Sequence, residues 1–451
     1  MPEQSDALEL RLHLLGPAAE IPPSAPVSAT GGGRAGVNLT AEGADLFIAV
    51  PDRPLAEVRW IVDRIIRSVT AVAELEAASV VAAEGLSDAG VVSVGLDLHH
   101  RFGGRVHIPA SPALAARVRD IGAREDEYRA WVDEDASTRT SLAICRDIRE
   151  LAAHHDHIEA EILDEEALGE RGLRLLLAVG SGSEASPARL ALARYRPPGA
   201  SQPPLMLLGK GITFDTGGIN VKPYESFVSA MKNDMGGAAL AYSLFHALVA
   251  SGYPEPISLV IPACENSIGP RAMRPGTIVK SYRGPTVRID HTDAEGRLIL
   301  ADALAYAADT DGPTQVLSFA TLTTAALVSY GPYATPVHFA DPELQAMLRR
   351  ASEETGEDLH MFPERVWHLE ANRDREADLR NTARLPGDAS RGAGSRNAAH
   401  FLKHFTDVPL CHFDIFASTW NWSGEAPGAG YGATGAPLRT LIRAFEEPRG
   451  R

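Results

Sequence analysis

The sequence predicts an α/β protein of two domains. The larger, C-terminal domain is expected to hold a central, mostly parallel sheet flanked by helices, and the N-terminal domain to be a smaller α/β unit. Three observations indicate this. The chain has 451 residues, which is more than one ordinary hydrophobic core takes. Its composition, 45% hydrophobic and 23% charged, is that of a globular protein. After residue 172, short apolar runs alternate with helical patterns.

The apolar runs are the signal for buried strands. They read "LRLLLAVG", "LMLLGKG", "ISLVIPA" and "VLSFATLT", beginning at residue 173 and ending at residue 323. Between them, residues 237–250 place Leu240, Leu244 and Leu248 on one helical face. Strands that alternate with helices favour a parallel sheet. The predicted division is an N-terminal domain with a helical linker at 1–165 and a second domain at 166–451.

The N-terminal part carries weaker patterns. "DLFIAV" at 45–50 predicts a strand, and a long helical stretch is expected from about Leu55 to Ala83. Residues 124–170 are highly charged and are expected to be mostly helical.

Charge and composition exclude several classes of function. The formal net charge of −16 disfavours nucleic-acid binding, which needs a basic face. No apolar run reaches the length of a membrane span, and the first residues show no basic segment followed by an apolar one. The three cysteines, Cys145, Cys264 and Cys411, are widely spaced. This spacing indicates a reducing compartment, so a cytoplasmic location is expected.

Three polar segments fall after predicted strands. "GKGITFDTGGINVK" at 209–222 contains two lysines and an aspartate, and "MKNDMGGAA" at 231–239 places Asp234 before a helix. "HTDAEGRL" at 291–298 contains Asp293 and Glu295, followed by Arg297. Ligands gather at the carboxyl ends of strands in open α/β sheets, so these segments are expected to meet.

Together the segments supply four carboxylates and no cysteine ligand. Carboxylates that share a cleft repel one another and are costly to bury. Two divalent cations would remove that cost, and carboxylates can bridge such ions in hydrolytic sites. Each segment alone is weak evidence for a metal site; Asp234, for example, could be a simple helix N-cap. All three in order predict a dinuclear metal site.

The motifs resemble those of the leucyl (cytosol) aminopeptidases, peptidase family M17. The signature "NTDAEGRL" of that family is matched here by "HTDAEGRL". The further matches are "GKGITFDTGG", "MKNDMGGAA", "ENSIGPRAMRPGTIV", "ATLT", "AHFLKHF" and "GATGAPLRTL". The resemblance covers about 173–447, is faint before residue 173, and looks most like the bacterial peptidase B branch.

This resemblance implies a site and a mechanism. The implied ligands of two divalent ions, Zn²⁺ or Mn²⁺, are Lys210, Asp215, Asp234, Asp293 and Glu295. The implied catalytic residues are Lys222, which stabilises the oxyanion, and Arg297, which holds a bicarbonate ion as general base. A metal-bridging hydroxide would attack the peptide bond, and the free α-amine of the substrate would make the enzyme an aminopeptidase.

The resemblance also implies partners and a substrate pocket. The expected substrates are peptides or dipeptides, and the expected assembly is a homohexamer with no membrane attachment. The implied substrate-binding residues are Met231, Thr321, Leu322, Thr324 and Phe416.

The sequence departs from the family pattern at several positions. His291 replaces the usual Asn, and is interpreted as a tolerated polar neighbour or as an added proton carrier. Thr324 stands where Gly is usual, and Phe416 where a small residue lines the pocket. A larger Phe predicts a preference for small N-terminal side chains. The segment between the domains is shorter than usual, which places the assembly contacts in doubt.

Three other functions compete with a general aminopeptidase. A pathway-specific amidase or peptidase of specialised metabolism would use the same site with the altered pocket. A DNA-binding accessory protein is a further alternative, because some bacterial relatives bind DNA, but the acidic balance disfavours it. A scaffold with a dead site is the weakest alternative, since all seven expected metal and catalytic residues are present.

Overall fold

A computed structural model describes residues 8–15, 25–27, 34–40, 43–49, 53–71, 75–383 and 393–446. The strands are β1 (Glu9–Leu15), β2 (Ala25–Val27), β3 (Arg34–Thr40), β4 (Gly43–Ala49), β5 (Ala77–Ala83), β6 (Val106–His107), β7 (Ile158–Leu163), β8 (Arg189–Tyr195), β9 (Leu205–Gly209), β10 (Gly211–Asp215), β11 (Ile257–Asn266), β12 (Ile278–Lys280), β13 (Thr286–Arg288), β14 (Gln315–Ala320), β15 (Ala334–His338), β16 (Asp358–Phe362), β17 (Leu379–Arg380), β18 (Leu410–Asp414), β19 (Trp420–Asn421) and β20 (Gly432–Ala433).

The helices follow the same numbering. They are α1 (Leu55–Thr70), α2 (Asp88–Arg101), α3 (Pro112–Asp133), α4 (Ser141–Ala153), α5 (Glu165–Arg171), α6 (Arg174–Gly180), α7 (Gly236–Ala250), α8 (Gly296–Asp311), α9 (Thr324–Tyr330), α10 (Pro342–Thr355), α11 (Val366–Glu370), α12 (Gly394–Lys403), α13 (Phe416–Thr419) and α14 (Leu438–Phe445). A 3₁₀ helix, Val228–Met235, precedes α7. None of the helices in the described part of the chain is long and apolar enough to cross a membrane.

The chain divides into two compact units. Unit 1 comprises residues 1–126, 347–358 and 421–444, and unit 2 comprises residues 127–346, 359–420 and 445–451. The first division, at 126 and 127, lies upstream of the domain boundary predicted at 165 and 166. Strand β7 lies between these two positions and pairs with β8 in the main sheet of unit 2. The predicted domain boundary itself stays a prediction.

Unit 1 is built on a six-stranded sheet in the order β2-β3-β4-β1-β5-β6. Strand β1 lies parallel to both β4 and β5, whereas β3 lies antiparallel to β4. Alternate residues of β1 are fully buried, and the apolar face of α1 buries Val58, Ile61 and Ile65. This period-2 and period-3.6 burial is the pattern that a half-buried sheet under a helix produces.

Unit 2 is built on a nine-stranded sheet. The order is β16-β15-β18-β14-β9-β11-β8-β7, and β10 pairs with β11. Strands β18, β14, β9 and β11 are parallel to one another, and β10 is parallel to β11. Strand β15 is antiparallel to β18, and β8 is antiparallel to both β11 and β7. Helix α7 packs against β9 and β14, and α8 packs against β11. The prediction of an α/β fold with a mostly parallel central sheet is confirmed.

Two of the predicted elements are wrong. "LRLLLAVG" forms helix α6 and not a strand, and the Asp302 carboxylate accepts hydrogen bonds from the N–H groups of Leu175 and Leu176 in its first turn (2.7 and 3.4 Å). A short run that is apolar throughout cannot distinguish a buried strand from a buried helix. The helix expected from Leu55 to Ala83 ends at Thr70, because residues 77–83 pair with β1 as strand β5.

The parallel strands of unit 2 carry polar residues just beyond their carboxyl ends. Lys210 follows β9, Asp215 ends β10, Asn266 ends β11, Thr321 follows β14 and Asp414 ends β18. Parallel strands of one sheet end at the same edge, so these residues are brought to one place.

Two histidines are buried where β15, β18 and β14 lie side by side. His412 Nδ1 lies 3.1 Å from Ser318 Oγ, and His338 Nε2 lies 3.0 Å from Ser395 Oγ. Burial, together with the charge of Arg297, lowers the pKa of His412 to about 3. Burial also holds the pKa of His338 well below its usual value, with the charges of His412 and His400 acting in the same direction. Both rings are therefore neutral in the folded chain at pH 7.

We expect the stability of the protein to fall as the pH drops below about 6.5. A histidine whose pKa is lowered by folding binds its proton only on unfolding, so its stabilising contribution is present above the unfolded pKa and is lost toward acid. Each such histidine should cost roughly 1.4 kcal/mol per pH unit. His412→Asn, compared with the exposed control His154→Asn, should reduce the slope by about one proton in urea unfolding between pH 7 and 5. An unchanged slope would contradict this account.

Candidate active site

Lys210 lies at the centre of one half of the site and is 2% exposed. Its ammonium donates to Asp234 Oδ1 (2.8 Å) and to the carbonyl of Thr321 (2.9 Å), and lies 2.9 Å from Glu295 Oε1. Helix α8 can begin beside it because Gly296 has no side chain, since a Cβ there would lie 2.6 Å from Lys210 Cε. The loops after β9 and before α8 therefore meet at this ammonium.

Lys222 holds the other half. Its ammonium lies 2.8 Å from Asp215 Oδ2 and 2.5 Å from Asp293 Oδ1. The loop turns back after β10 at Gly217, where φ is +87° and a Cβ would lie 2.5 Å from Asn220 O. Only glycine adopts such a turn without strain.

The carboxylates form one cluster. Asp215, Asp234 and Glu295 each offer an oxygen, and these oxygens lie within 4.8 Å of one another. Each of the three side chains is 3% exposed, while that of Asp293 is 28% exposed. Asp293 is joined to the cluster through the ammonium that it shares with Asp215.

Burial and mutual repulsion shift the titration of the acids. Burial and the negative charge of Glu295 together raise the pKa of Asp215 to about 7. Burial likewise raises the pKa of Asp234 and of Asp293. These shifts express the energetic cost of placing the carboxylates together away from water.

Glu295 behaves differently because it faces both ammonium groups. Burial opposes its ionisation, but Lys210 and Lys222 together lower its pKa to about 2. Burial also opposes the charge on Lys210, and the neighbouring Asp234 and Glu295 nevertheless raise the pKa of that lysine. The cluster thus holds two ammonium groups among its acids.

The donor set fits divalent cations. Glu295 Oε2 is buried and, among the described residues, has no hydrogen-bond partner. Asp234 Oδ2 and Asp293 Oδ1 contact the lysines at ion-pair distance but outside hydrogen-bonding geometry. Four carboxylates exceed the two ammonium charges, and buried oxygen donors of this kind suit hard or borderline divalent ions.

Arg297 lies in the first turn of α8 and is buried. Its Nη1 donates to the carbonyl of Asn381 (2.8 Å), and its Nε has no hydrogen-bond partner in the described part of the chain. Burial lowers the pKa of Arg297 to about 10, although the charge of Glu295 acts against this. The Nε–H group of this buried guanidinium therefore remains available to donate a hydrogen bond to an anion.

The 290–295 loop is anchored by three asparagines. Asn266 Nδ2 donates to Asp215 Oδ1 (2.7 Å) and to the carbonyl of Thr292 (3.1 Å). Asn220 Oδ1 accepts from the N–H of Thr292 (2.9 Å). Asn381 donates through Nδ2 to the carbonyls of His291 and Ala294 (2.7 and 3.2 Å). These bonds fix the backbone that carries Asp293 and Glu295.

His291 accepts a hydrogen bond from within this loop. Its Nδ1 accepts a hydrogen bond from the N–H of Asp293 (3.2 Å). Burial lowers the pKa of His291, which favours the neutral ring that can accept this bond. The side-chain oxygen of Asn could accept from the same N–H, so the contact fits the interpretation of His291 as a tolerated polar neighbour.

The predicted pocket residues lie around the start of α7. Met231 is 2% exposed and belongs to the 3₁₀ helix that leads into Gly236. A Cβ on Gly236 would lie 2.7 Å from Thr419 Cγ2 and 3.3 Å from Thr321 Cγ2. Thr321 Oγ1 also donates to Asp234 Oδ1 (2.9 Å), which joins this region directly to the carboxylate cluster.

The other pocket residues depend on the Asp414 carboxylate. Asp414 Oδ1 accepts from the backbone N–H groups of Leu322 (3.2 Å) and Phe416 (3.5 Å). Phe416 is 5% exposed, Leu322 is half-buried and Thr324, at the start of α9, is exposed. The structure therefore brings Leu322 and Phe416 together at the backbone, with Thr324 on the open side.

Sequence reasoning missed the residues that hold the cluster in place. Asn266 lies inside the motif "ENSIGPRAMRPGTIV", and Asp414 begins "DIFA". The sequence patterns assigned no function to either residue. Asn381 lies outside every quoted motif. An Asn or Asp at the end of a predicted buried strand is the sequence signal that could have found Asn266 and Asp414, both of which are buried.

A family model describes most of the chain. The model of the catalytic domain of the cytosol aminopeptidase family matches residues 127–442. The chain belongs to this family, Peptidase M17. The matched segment contains every residue of the carboxylate cluster, and membership confirms both the predicted family and the predicted enzyme class, metallo-aminopeptidase.

Cytosol aminopeptidases from bacteria show the same relationship. The chain is 37% identical over 340 residues to a probable cytosol aminopeptidase of Solibacter usitatus, covering 74% of this chain and 68% of the relative. It is 39% identical over 333 residues to that of Geobacter sp. strain M21, covering 73% and 65%. These matches thus span about two thirds of the relatives' own lengths.

A solved structure of similar fold matches nearly end to end. It is the bottromycin maturation enzyme BotP in complex with Mn, which superposes with a TM-score of 0.82 at 28% identity. The match covers 98% of this chain and 99% of that one. A second structure of BotP gives a TM-score of 0.80.

Proposed function

We propose that the protein is a dinuclear metal-dependent aminopeptidase that removes N-terminal amino acids from peptides. The observation that carries this proposal is the cluster of Asp215, Asp234 and Glu295, three buried carboxylates with oxygens within 4.8 Å of one another. In a member of the cytosol aminopeptidase family, such a cluster is best explained as a metal centre.

The proposed ligands of the two ions are Lys210, Asp215, Asp234, Asp293 and Glu295. Two divalent cations, Zn²⁺ or Mn²⁺, would lower the pKa of water and polarise the scissile carbonyl. Lys210 can join the ligands only as a neutral amine, so it must give up its proton when the site is loaded. The oxygen-rich set is compatible with Mn²⁺, the metal named for the BotP complex.

Lys222 is proposed to stabilise negative charge on the substrate. Its ammonium is held between Asp215 and Asp293, and its side chain is 13% exposed, against 3% for Lys210. Once cations share the negative charge of these carboxylates, Lys222 can turn a proton toward the carbonyl oxygen of the scissile bond. A donor fixed before the reaction stabilises the developing oxyanion most effectively.

Arg297 is proposed to hold bicarbonate as the general base. The guanidinium is buried, and its Nε is left without a hydrogen-bond partner among the described residues. The four carboxylates that could have served as base are all assigned to metal ions. A bound anion that accepts a proton from water would supply the missing function.

A second candidate is a peptidase of one biosynthetic pathway in specialised metabolism. The observation that favours it is the nearly complete match in length to BotP, a maturation enzyme, whereas the matches to the cytosol aminopeptidases span about two thirds of those chains. The chemistry would be unchanged, and selectivity for one peptide would come from the pocket.

We also propose a cytoplasmic homohexamer. Val366 and Trp367 on α11 are 75% and 61% exposed, which is unusual for large apolar side chains without a partner surface. All three cysteines are buried and free, as in a reducing compartment.

The metal proposal predicts two ions per chain and complete loss of hydrolysis after chelation. Glu295→Gln keeps the shape of the side chain but removes the charge that both lysines face, so metal content should fall by at least one ion and the rate more than about 100-fold. The exposed Glu225→Gln, in the same loop as Lys222, is the matched control and should retain both. Full activity with a single bound ion, measured by elemental analysis and peptide hydrolysis, would refute the dinuclear site.

The pocket proposal predicts a preference for small N-terminal residues. Phe416→Ala should raise activity on leucyl relative to alanyl arylamides by roughly tenfold to a few hundredfold, because it opens volume for a larger side chain. Phe401→Ala, a buried ring on α12, is the control for lost stability. If the unmodified enzyme already cleaves both substrates equally and the variant changes neither, Phe416 does not line the pocket. Weak hydrolysis of every arylamide and dipeptide would favour the pathway-specific candidate.

The assembly proposal predicts a particle of six times the chain mass of 48.1 kDa in light scattering. Trp367→Glu should shift the particle to smaller species without loss of fold, because it places a charge on the exposed apolar surface. A monomeric, fully active native protein would rule out the hexamer.

A further inference from the structure

Helices α2 and α3 bring a second group of metal-ligating side chains together in unit 1. His99 Nε2 lies 2.7 Å from Asp126 Oδ2, and His100 Nδ1 lies 3.2 Å from Asp126 Oδ1. His99, His100 and Asp126 each offer one ligand atom, and these atoms all lie within 4.8 Å of one another. None of the three belongs to the carboxylate cluster of unit 2.

The orientation of the His100 ring is fixed from behind. His100 Nε2 lies 2.6 Å from Glu125 Oε2. Arg439 donates two hydrogen bonds to the same carboxylate, from Nε to Oε1 (2.8 Å) and from Nη2 to Oε2 (3.0 Å). His100 Nε2 therefore faces this carboxylate, and Nδ1 is turned toward Asp126. Metal-binding histidines are typically supported in this way.

The Nδ1 atom of His100 is buried and makes no hydrogen bond within the described part of the chain. The side chain is 1% exposed, and Nδ1 has no hydrogen-bond partner among the described residues. Asp126 Oδ1 is near, but it lies outside the direction in which an N–H of this ring would point. A buried ring nitrogen without a partner beside a carboxylate is unfavourable, and a cation between the two atoms would relieve this cost.

The position of His99 is also built into the helices. A Cβ on Gly122 of α3 would lie 2.8 Å from the His99 ring, so glycine at this position lets the ring lie flat on α3. The ring is thereby aimed at Asp126, four residues further along the same helix. Nδ1 of His99 is likewise buried without a hydrogen-bond partner in the described residues.

Ligand spacing supports a metal ion at this place. Two ligand atoms about 2.0–2.1 Å from a tetrahedral zinc ion lie roughly 3.3 Å apart. The 3.2 Å between His100 Nδ1 and Asp126 Oδ1 is close to that value, whereas the 2.7 Å between His99 Nε2 and Asp126 Oδ2 is shorter. Simple ion pairs between the histidines and the acids would account for the Nε2 contacts, but not for the buried Nδ1 of His100, which has no hydrogen-bond partner among the described residues.

We propose that His99, His100 and Asp126 bind one divalent transition-metal ion, with Zn²⁺ as the best match. Two imidazoles and a carboxylate are ligands that suit Zn²⁺. The Asp126 side chain is 56% exposed, so a water molecule can complete the coordination from the solvent side. The ion would fasten α2 to α3 within unit 1.

The test counts zinc independently of the active site. The full-length protein carrying Asp293→Asn and Glu295→Gln is stripped with a chelator and titrated with Zn²⁺ by calorimetry, with and without Asp126→Asn. Asp126→Asn should remove one Zn²⁺ per chain or weaken its binding more than tenfold. Asp120→Asn, an exposed acid on the same helix, is the matched control and should change neither quantity.

His99→Gln provides a second reading in case Asp126 contributes only to folding. It should cause the same loss of one Zn²⁺, while circular dichroism shows the helices intact. Identical Zn²⁺ binding with and without either substitution would overturn the proposal. The comparison is a difference of one ion, so it stands whether the carboxylate cluster binds two ions, one or none.

Discussion

Repulsion among four carboxylates in one pocket is the constraint on which the rest of unit 2 depends. Left alone, Asp215, Asp234, Asp293 and Glu295 would hold protons or draw in water. The chain counters this with two ammonium groups, each placed between two of the acids. Burial, and after it the charge of Glu295, raises the pKa of Asp215, so the lysines only partly offset the cost of placing the acids together. The remaining negative charge is what the proposed cations would balance.

Holding such groups together requires a rigid frame. Asp215 ends β10 and Asp234 belongs to the 3₁₀ helix, but Asp293 and Glu295 lie on the loop before α8. Loops are ordinarily the mobile parts of a fold. Here Asn220, Asn266 and Asn381 tie those loops to one another through backbone groups. Amide side chains suit this task because they donate and accept without adding charge to a crowded electrostatic site. The frame thus fixes geometry while leaving the charge balance to the lysines.

Much of this arrangement could be predicted from the sequence. The alternation of apolar runs with helical patterns led to the parallel sheet, and the order of the polar segments led to the carboxylate cluster. The segment at 173–180 was wrongly predicted to be a strand, because an entirely apolar run has no periodicity that distinguishes a strand from a helix. Asn381 could not be found, because its role rests on contacts across a long stretch of chain. His99 and His100 were passed over for the same reason: their partners come from another helix.

The contacts of Asn381 bear on how the protein is made. This residue supplies the hydrogen bonds that hold the carbonyls of His291 and Ala294, yet it is synthesised well after them. Asp414, which holds Leu322 and Phe416, comes later still. A chain that ends before Asn381 lacks these two hydrogen bonds of the loop that carries Asp293 and Glu295. The contacts that complete the site therefore form only after most of the chain has been synthesised.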